Sequence, residues 1–210
     1  MTPIQPKNAK PVLAGSTIEV TAIVLTCNEE EFVEECLFHL KPYVDCLLVL
    51  DGFSSDNTIN IARKIATGVI VRLFKGSFAE ERNYAQERAP TNWVLHCDAD
   101  ERFPKFFLEK MKKTIIESNV KCFRFPRVNF DQAYPRQLHP EDHQVRLLDK
   151  RFGNWVRPVH EIVWSHQHSK PLDQCGDMYI KTLPYPIVHL IRPKTQRENI
   201  LERWKTLEHI

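Results

Sequence analysis

Residues 18–26, Ile-Glu-Val-Thr-Ala-Ile-Val-Leu-Thr, run straight into Cys27-Asn28-Glu29-Glu30-Glu31. The apolar, β-branched run spells a buried strand. The polar break offers Asn28 as a helix cap and three acids for a first turn, where they suit the helix dipole. Phe32, Val33, Cys36, Leu37 and Leu40 then recur at intervals of three and four, and Pro42 closes that helix. The same alternation repeats down the chain. Cys46–Leu50 is a second strand, ended by Asp51-Gly52. Ser54-Ser55-Asp56-Asn57 supplies caps for a helix carrying Ile59, Ile61, Ala62 and Ile65. Val69–Phe74 is a third strand, Phe78–Arg88 a helix, Trp93–Cys97 a fourth strand and Lys105–Glu117 a further helix. Strands alternating with helices predict an α/β fold, with right-handed crossovers building a mostly parallel sheet that carries helices on both faces. Ligands of such sheets bind beyond the carboxyl ends of the strands. That rule singles out Thr26–Asn28, Asp51–Asp56 and Asp98–Asp100.

The second half changes character. Cys122–Asn129 and Gln144–Leu148 read as strands, separated by a loop rich in His, Pro and charge (131–143), and Trp155–Trp164 is aromatic and partly extended. This predicts a smaller α+β part. Residues 1–17 read as an N-terminal tail, without the charged-then-apolar pattern of a secretory leader. At the other end, Ile200, Leu201, Trp204 and Leu207 form one stripe of a C-terminal helix over 191–210, a pattern still running at Ile210. That stripe, with Lys194, Arg197, Arg203 and Lys205 nearby, either packs on its own domain or makes a peripheral membrane contact.

Composition excludes several classes. The 210 residues are 42% hydrophobic and 10% aromatic, which is globular and not disordered. The 29 basic and 27 acidic side chains leave a charge of +2, with no polybasic run, so no nucleic-acid partner is expected. No apolar stretch approaches the roughly 18–20 residues that span a bilayer. The 6 cysteines include no Cys-x-x-Cys pair and several lie beside apolar runs, so they are expected as reduced thiols of a cytoplasmic protein. Of the 9 histidines, His139, His143, His166 and His168 could supply zinc ligands. Pro140 disfavours a regular helical pair between the first two, and no His-Glu-x-x-His is present.

Asp98-Ala99-Asp100-Glu101 follows a buried strand directly. Two carboxylates turned toward one point repel unless a divalent cation joins them. Mg²⁺ typically takes one or two carboxylates and completes its shell with water and substrate phosphates. A metal–diphosphate site on Asp98 and Asp100 is therefore weighed against a solvated acidic turn. Asp51 can accept hydrogen bonds from a base or ribose, or close an Asx turn onto the residues that follow it. Thr26 and Asn28 border the same pocket. Arg146 is either a strand residue pairing inward or a contact to sugar or phosphate. Trp155, Trp164 and Phe152 are either sugar-stacking surfaces or core.

Four segments carry a family resemblance in the same order: Leu25-Thr26-Cys27-Asn28-Glu29-Glu30-Glu31, Leu50-Asp51-Gly52-Phe53-Ser54-Ser55-Asp56-Asn57-Thr58, Phe78-Ala79-Glu80-Glu81-Arg82-Asn83-Tyr84-Ala85, and Cys97-Asp98-Ala99-Asp100-Glu101. Together they resemble family 2 glycosyltransferases of the GT-A fold, over roughly residues 18 to 165. The later stretches around Arg146 and His160-Glu161 look like the subgroup that includes lipopolysaccharide core β-glucosyltransferases. The resemblance implies an inverting transferase that moves a hexose from a nucleotide-sugar, a UDP-sugar being favoured, to a glycan or lipid-linked acceptor with Mg²⁺ or Mn²⁺. It divides the chain into a nucleotide-sugar-binding half (18–103) and an acceptor-side half of the same domain (104–190). It places Thr26, Asn28 and Asp51 on the base and ribose, and Arg82 and Asn83 toward nucleotide and donor sugar. Asp98 would reach ribose or sugar, and Asp100 the metal. His189 lies where a late ligand for metal or diphosphate often sits, although a histidine at the end of an apolar strand can equally be a satisfied rim residue. Glu161, next to His160 on the acceptor or phosphate side with Arg146 and Trp155, is the first choice for the base that deprotonates the acceptor. Asp142 is the second. An ion pair of Glu161 with Arg146 or Arg157 is the alternative. One departure concerns Gly52-Phe53, because the family usually places its glycine one residue later.

Two other classes compete. A nucleotidyltransferase would want a Gly-rich phosphate loop with a basic residue after the first strand, but residues 28–31 are acidic. A catalytically silent sugar-binding protein would have no need to keep Asp51, Asp98, Asp100 and Glu161 together.

Overall fold

A computed structural model of the chain describes residues 17–130 and 137–190, the side chains of 137–142 excepted. The expected tail and C-terminal stripe lie outside the described residues. The alternation is present as β1 (Val20–Thr26), α1 (Val33–Leu40), β2 (Cys46–Asp51), α2 (Thr58–Ile65), β3 (Gly68–Val71), α3 (Phe78–Arg88) and β4 (Trp93–Asp98). A short β5 (Glu101–Arg102) and α4 (Lys105–Ser118) follow. The second half holds β6 (Cys122–Phe130), β7 (Gln137–Asp149), β8 (Gly153–Val156), β9 (Ile162–Ser165), β10 (Ile180–Thr182) and β11 (Ile187–Leu190).

The main sheet runs β3-β2-β1-β4-β7-β6-β11-β5. Strands β1 to β4 are mutually parallel. The sheet as a whole is mixed rather than mostly parallel, because β7 lies antiparallel to both β4 and β6 and β5 is antiparallel to β11. The physical reason is the connection. Only six residues separate β6 from its neighbour β7, fewer than the dozen or more that a parallel crossover needs, so the two strands pair antiparallel. Residues 137–143, expected as loop, extend β7 instead, with register shifts near Pro126 absorbing the irregularity. β10 and β11 both pair parallel with β6 along one edge, interrupted at 183–186 where two prolines cannot donate to a ladder.

Alternate residues along the strands feed two cores. Val20, Ala22, Val24, Leu47, Val49, Leu95 and Cys97 pack under α1, α2 and α4. Ile23, Leu50 and Val94 face the other side and meet Ala85 of α3 and Ala89 just past its end. The small β8–β9 sheet, with Trp155 and Val163, continues that second face beside Ala79 and Leu148. Helices therefore lie on both faces, but α3 covers its face with small residues while burying Glu81, Arg82 and Gln86. A helix that buries charges points them at something. None of the six cysteines is in a disulfide, and Cys36 and Cys97 place their sulfurs 3.9 Å apart.

The loop after β1 departs from expectation. The helix starts at Val33, and Asn28 does not cap it. Asn28 instead takes a left-handed φ of 57°, accepting from Ser55 N–H through Oδ1 (2.8 Å). Glu29 N–H donates to Thr58 Oγ1, and Glu30 accepts from Asn57 N–H. These cross-loop bonds win over an extra helical turn. Among the capping residues expected for α2, Asp56 acts, accepting from the Thr58 N–H at 3.0 Å.

Candidate active site

The carboxyl edges of β1, β2 and β4 lie side by side, with Thr26 opposite Asp51 and Leu25 opposite Asp98. Three clusters form along this edge.

The first joins β1 to β2. Asp51 is fully buried. Its Oδ2 accepts from Thr26 Oγ1 (2.8 Å) and Ser54 Oγ (2.6 Å), and its Oδ1 accepts from Ser54 N–H (2.7 Å). Asn28 N–H donates to Ser54 Oγ at 2.7 Å. The three residues expected at the base and ribose are thus interlocked, and Asp51 makes the Asx turn that was the alternative. The shifted glycine has a steric cause. A Cβ on Gly52 would sit 3.3 Å from Cys27 Cβ, so Gly52 supplies room between the strand ends while the left-handed φ of 71° falls on Phe53.

The second cluster is a chain of alternating charges. Arg82 Nε donates to Glu161 Oε1 (3.1 Å) and its Nη2 to Asp98 Oδ1 (2.9 Å). Arg146 Nη2 donates to Asp98 Oδ2 (3.1 Å), and Arg146 grips Glu101 through Nε (2.8 Å) and Nη2 (2.7 Å). Both arginine side chains are only 4% exposed, the Glu101 side chain 0%. Burial pushes the Asp98 carboxyl up, but the Arg82 and Arg146 guanidiniums more than offset it and hold Asp98 well below the usual carboxylate range. Arg146 therefore pairs inward. The partner of Glu161 is Arg82, not Arg146 or Arg157. Glu161 Oε2 has no hydrogen-bonding partner among the described residues. Just ahead of it, Arg157 and His160 are exposed and take left-handed φ values of 74° and 53°, and Pro158 O accepts from Phe78 N–H at the start of α3. The side chain of Asp142, on β7, lies outside the described residues.

The third cluster brings Asp100 and His189 together, Oδ2 to Nε2 at 3.3 Å, each side chain about a quarter exposed (24% and 28%). His189 Nδ1 lies 2.8 Å from Asn129 Oδ1. With a proton on Nδ1, Asn129 accepts it and orients the ring so that Nε2 faces Asp100, to which it donates when the imidazole is protonated. Burial lowers the pKa of His189, but the hydrogen bond and charge of Asp100 outweigh it and raise the imidazole above its ordinary 6.5. One carboxylate and one oriented imidazole, facing the edge where a diphosphate would lie, suit a divalent cation that finishes its shell with phosphate oxygens. Asp98 is engaged on both oxygens by arginines, so Asp100 and His189 are the available pair. No group of three or more His, Cys, Asp or Glu side chains converges on a metal position among the described residues.

Asn83 and Trp155 lie behind this edge. The Asn83 amide donates to Trp155 O and accepts from Trp155 N–H, both at 2.8 Å, splinting α3 to β8. Trp155 is 3% exposed and packs in the core, with the Arg82 guanidinium 5.2 Å from its ring centre. Its indole N–H donates to His96 Nε2 at 3.2 Å. His96 was not anticipated. It is fully buried beneath the charge chain, and burial first, then the Arg82 and Arg146 charges, lowers its pKa well below 6.5. A lone histidine inside Trp93–Asp98 was its only signal. Glu101 was also missed as a partner, although its place directly after Asp100 marked it.

Parallel strands alternating with helices, with carboxylates, arginines and an Asp–His pair gathered at the carboxyl edge, define an α/β fold with its binding edge at the strand ends. Residues 21–169 match the family model described as glycosyl transferase family 2, and the chain belongs to that family. An uncharacterized glycosyltransferase of Rickettsia conorii is 24% identical over 78% of this chain and 60% of its own length. The glycosyltransferase SunS of Bacillus subtilis is 25% identical over 92% of this chain and 47% of its own. The chain thus spans about half to three-fifths of the length of these relatives. Among solved structures, the S. aureus TarS 1-349 complex with UDP-GlcNAc superposes with a TM-score of 0.56 at 18% identity, over 84% of this chain and 59% of that one. Glucosyl-3-phosphoglycerate synthase from Mycobacterium tuberculosis, with Mn²⁺, UDP and glucosyl-3-phosphoglycerate, gives 0.61 at 12% identity, over 90% and 78%. These likenesses establish the GT-A fold. No helix among the described residues is long and apolar enough to cross a membrane.

Proposed function

We propose that the protein is an inverting, metal-assisted hexosyltransferase that uses a nucleotide-sugar, preferentially a UDP-sugar. The observation that carries this is the Asp100–His189 pair standing beside the Arg82-linked Asp98 and Glu161 at one sheet edge. Asp100 and His189 would hold Mg²⁺ or Mn²⁺. When bound, the cation supplies charge stabilisation to the departing diphosphate. Thr26, Asn28 and Asp51 shape the nucleoside end, and residues 18–103 serve the donor while 104–190 serve the acceptor. Arg82 fixes Glu161 through Oε1 and leaves Oε2 to take the proton from an acceptor hydroxyl. The acceptor oxygen attacks the anomeric carbon as the carbon–diphosphate bond breaks, which inverts the centre. The acceptor is a glycan or lipid-linked saccharide of the cell envelope, in line with the resemblance to lipopolysaccharide core β-glucosyltransferases. A cytoplasmic protein touching the inner membrane face through 191–210 fits such an acceptor.

The test is sugar release or transfer from a panel of UDP-, GDP- and ADP-hexoses with Mn²⁺. Turnover of a UDP-hexose is expected. A protein that turns over none of the panel and gains no thermal stability from any of it is not this enzyme.

A further inference from the structure

Phe53 stands out once the donor edge is laid out. It follows Gly52 directly after Asp51, at the carboxyl end of β2, and it holds a φ of 71°. A bulky side chain in the left-handed region is a genuine outlier, with strain of order 1–3 kcal/mol. Phe53 recovers little of that by burial, since 64% of it is exposed. Gly52, one residue earlier, needs no left-handed backbone, and a glycine at 53 would remove the strain without touching the close approach of Gly52 to Cys27. The chain keeps a strained, solvent-facing ring where the simplest residue would fold better. A rigid aromatic face held open beside a binding edge is a stacking surface.

Its position says for what. The Asp100–His189 pair lies past the end of β4, and β2 lies beyond β1 on the far side. Neighbouring strands are about 4.8 Å apart, so Phe53 sits roughly 10 Å along the edge from the end of β4. A nucleoside diphosphate with its phosphates at Asp100 would extend across β1 and bring its planar base over the loop that holds Phe53. We propose that Phe53 is a stacking platform for the base of the donor nucleotide. This rests on the donor reading above and adds a binding residue at the position where the chain departs from its family's usual glycine.

The proposal makes opposite predictions for folding and binding. Phe53→Gly should raise the melting temperature or leave it unchanged, because it relieves strain. The same substitution should weaken UDP binding in Mn²⁺, measured by calorimetry, by roughly 5- to 150-fold, the range of a lost base–aromatic stack. Phe53→Trp should keep UDP affinity near wild type. Pyrophosphate, which has no base, should bind wild type and Phe53→Gly alike. UDP affinity unchanged in Phe53→Gly overturns the platform while leaving the donor site standing. An equal loss for UDP and pyrophosphate also overturns it, since the effect would then be on the phosphate end. Wild type that binds neither UDP nor pyrophosphate overturns both readings.

Discussion

Arg82 Nε lies 3.1 Å from Glu161 Oε1, although the two residues are 79 apart in sequence. The same guanidinium holds Asp98 at 2.9 Å. One side chain of α3 thus joins the end of β4 to the segment that precedes β9, and Glu161 reaches the donor edge because Arg82 holds it there. Glu161→Gln should lower kcat about 10²-fold or more, the usual contribution of a general base, with UDP affinity unchanged. Asp142→Asn should leave kcat near wild type. The reverse pattern in steady-state kinetics would move the base to Asp142.

Arg146 and Glu101 make a buried fork that the sheet must enclose. Removing one partner leaves a charge with no water. Arg146→Leu should destabilise the fold by about 3–5 kcal/mol in urea denaturation. The double substitution Arg146→Leu with Glu101→Leu should recover a substantial part, since no buried charge is stranded at Glu101. A double variant as unstable as the single one would show that the pair is not the source of the loss.

His96 gives a pH signature. Its pKa in the folded protein lies well below 6.5, while the unfolded chain has the ordinary value. Below pH 6.5 the unfolded state binds the proton that the folded state refuses, so stability falls as pH drops from 6.5 toward the folded value. Above 6.5 this contribution is complete. His96→Gln, which can still accept from the Trp155 indole, should flatten the dependence of melting temperature on pH between 5 and 6.5. An unchanged slope would assign the acid sensitivity to other groups.

Much of this was legible in the sequence, for local reasons. β1, β2, β4, α3 and α4 follow from apolar period and caps, and Asp51, Asp98 and Asp100 from their places at strand ends. The strand over 137–143 was not legible, because its charges and Pro140 read as loop and only pairing with β6 makes it extended. Ion-pair partners were not legible either. Nothing near Glu161 in sequence says that it meets Arg82 rather than Arg157. Asn28 looked like a cap because the competing donor, the Ser55 N–H on the next loop, is distant in the chain. Asn83 pointed to the donor by family pattern and Trp155 read as either a sugar-stacking surface or core, yet they bond to each other, a splint that depends on how β8 packs against α3.

The central claim is that Asp100 and His189 seat a cation which holds a nucleoside diphosphate. Calorimetric titration of UDP into wild type and Asp100→Ala, with and without Mn²⁺, addresses it directly. Mn²⁺ should tighten UDP binding to wild type by about tenfold or more, equivalent to about 1.4 kcal/mol, and this gain should vanish in Asp100→Ala while metal-free binding persists. Equal enhancement by Mn²⁺ in wild type and Asp100→Ala would contradict the account.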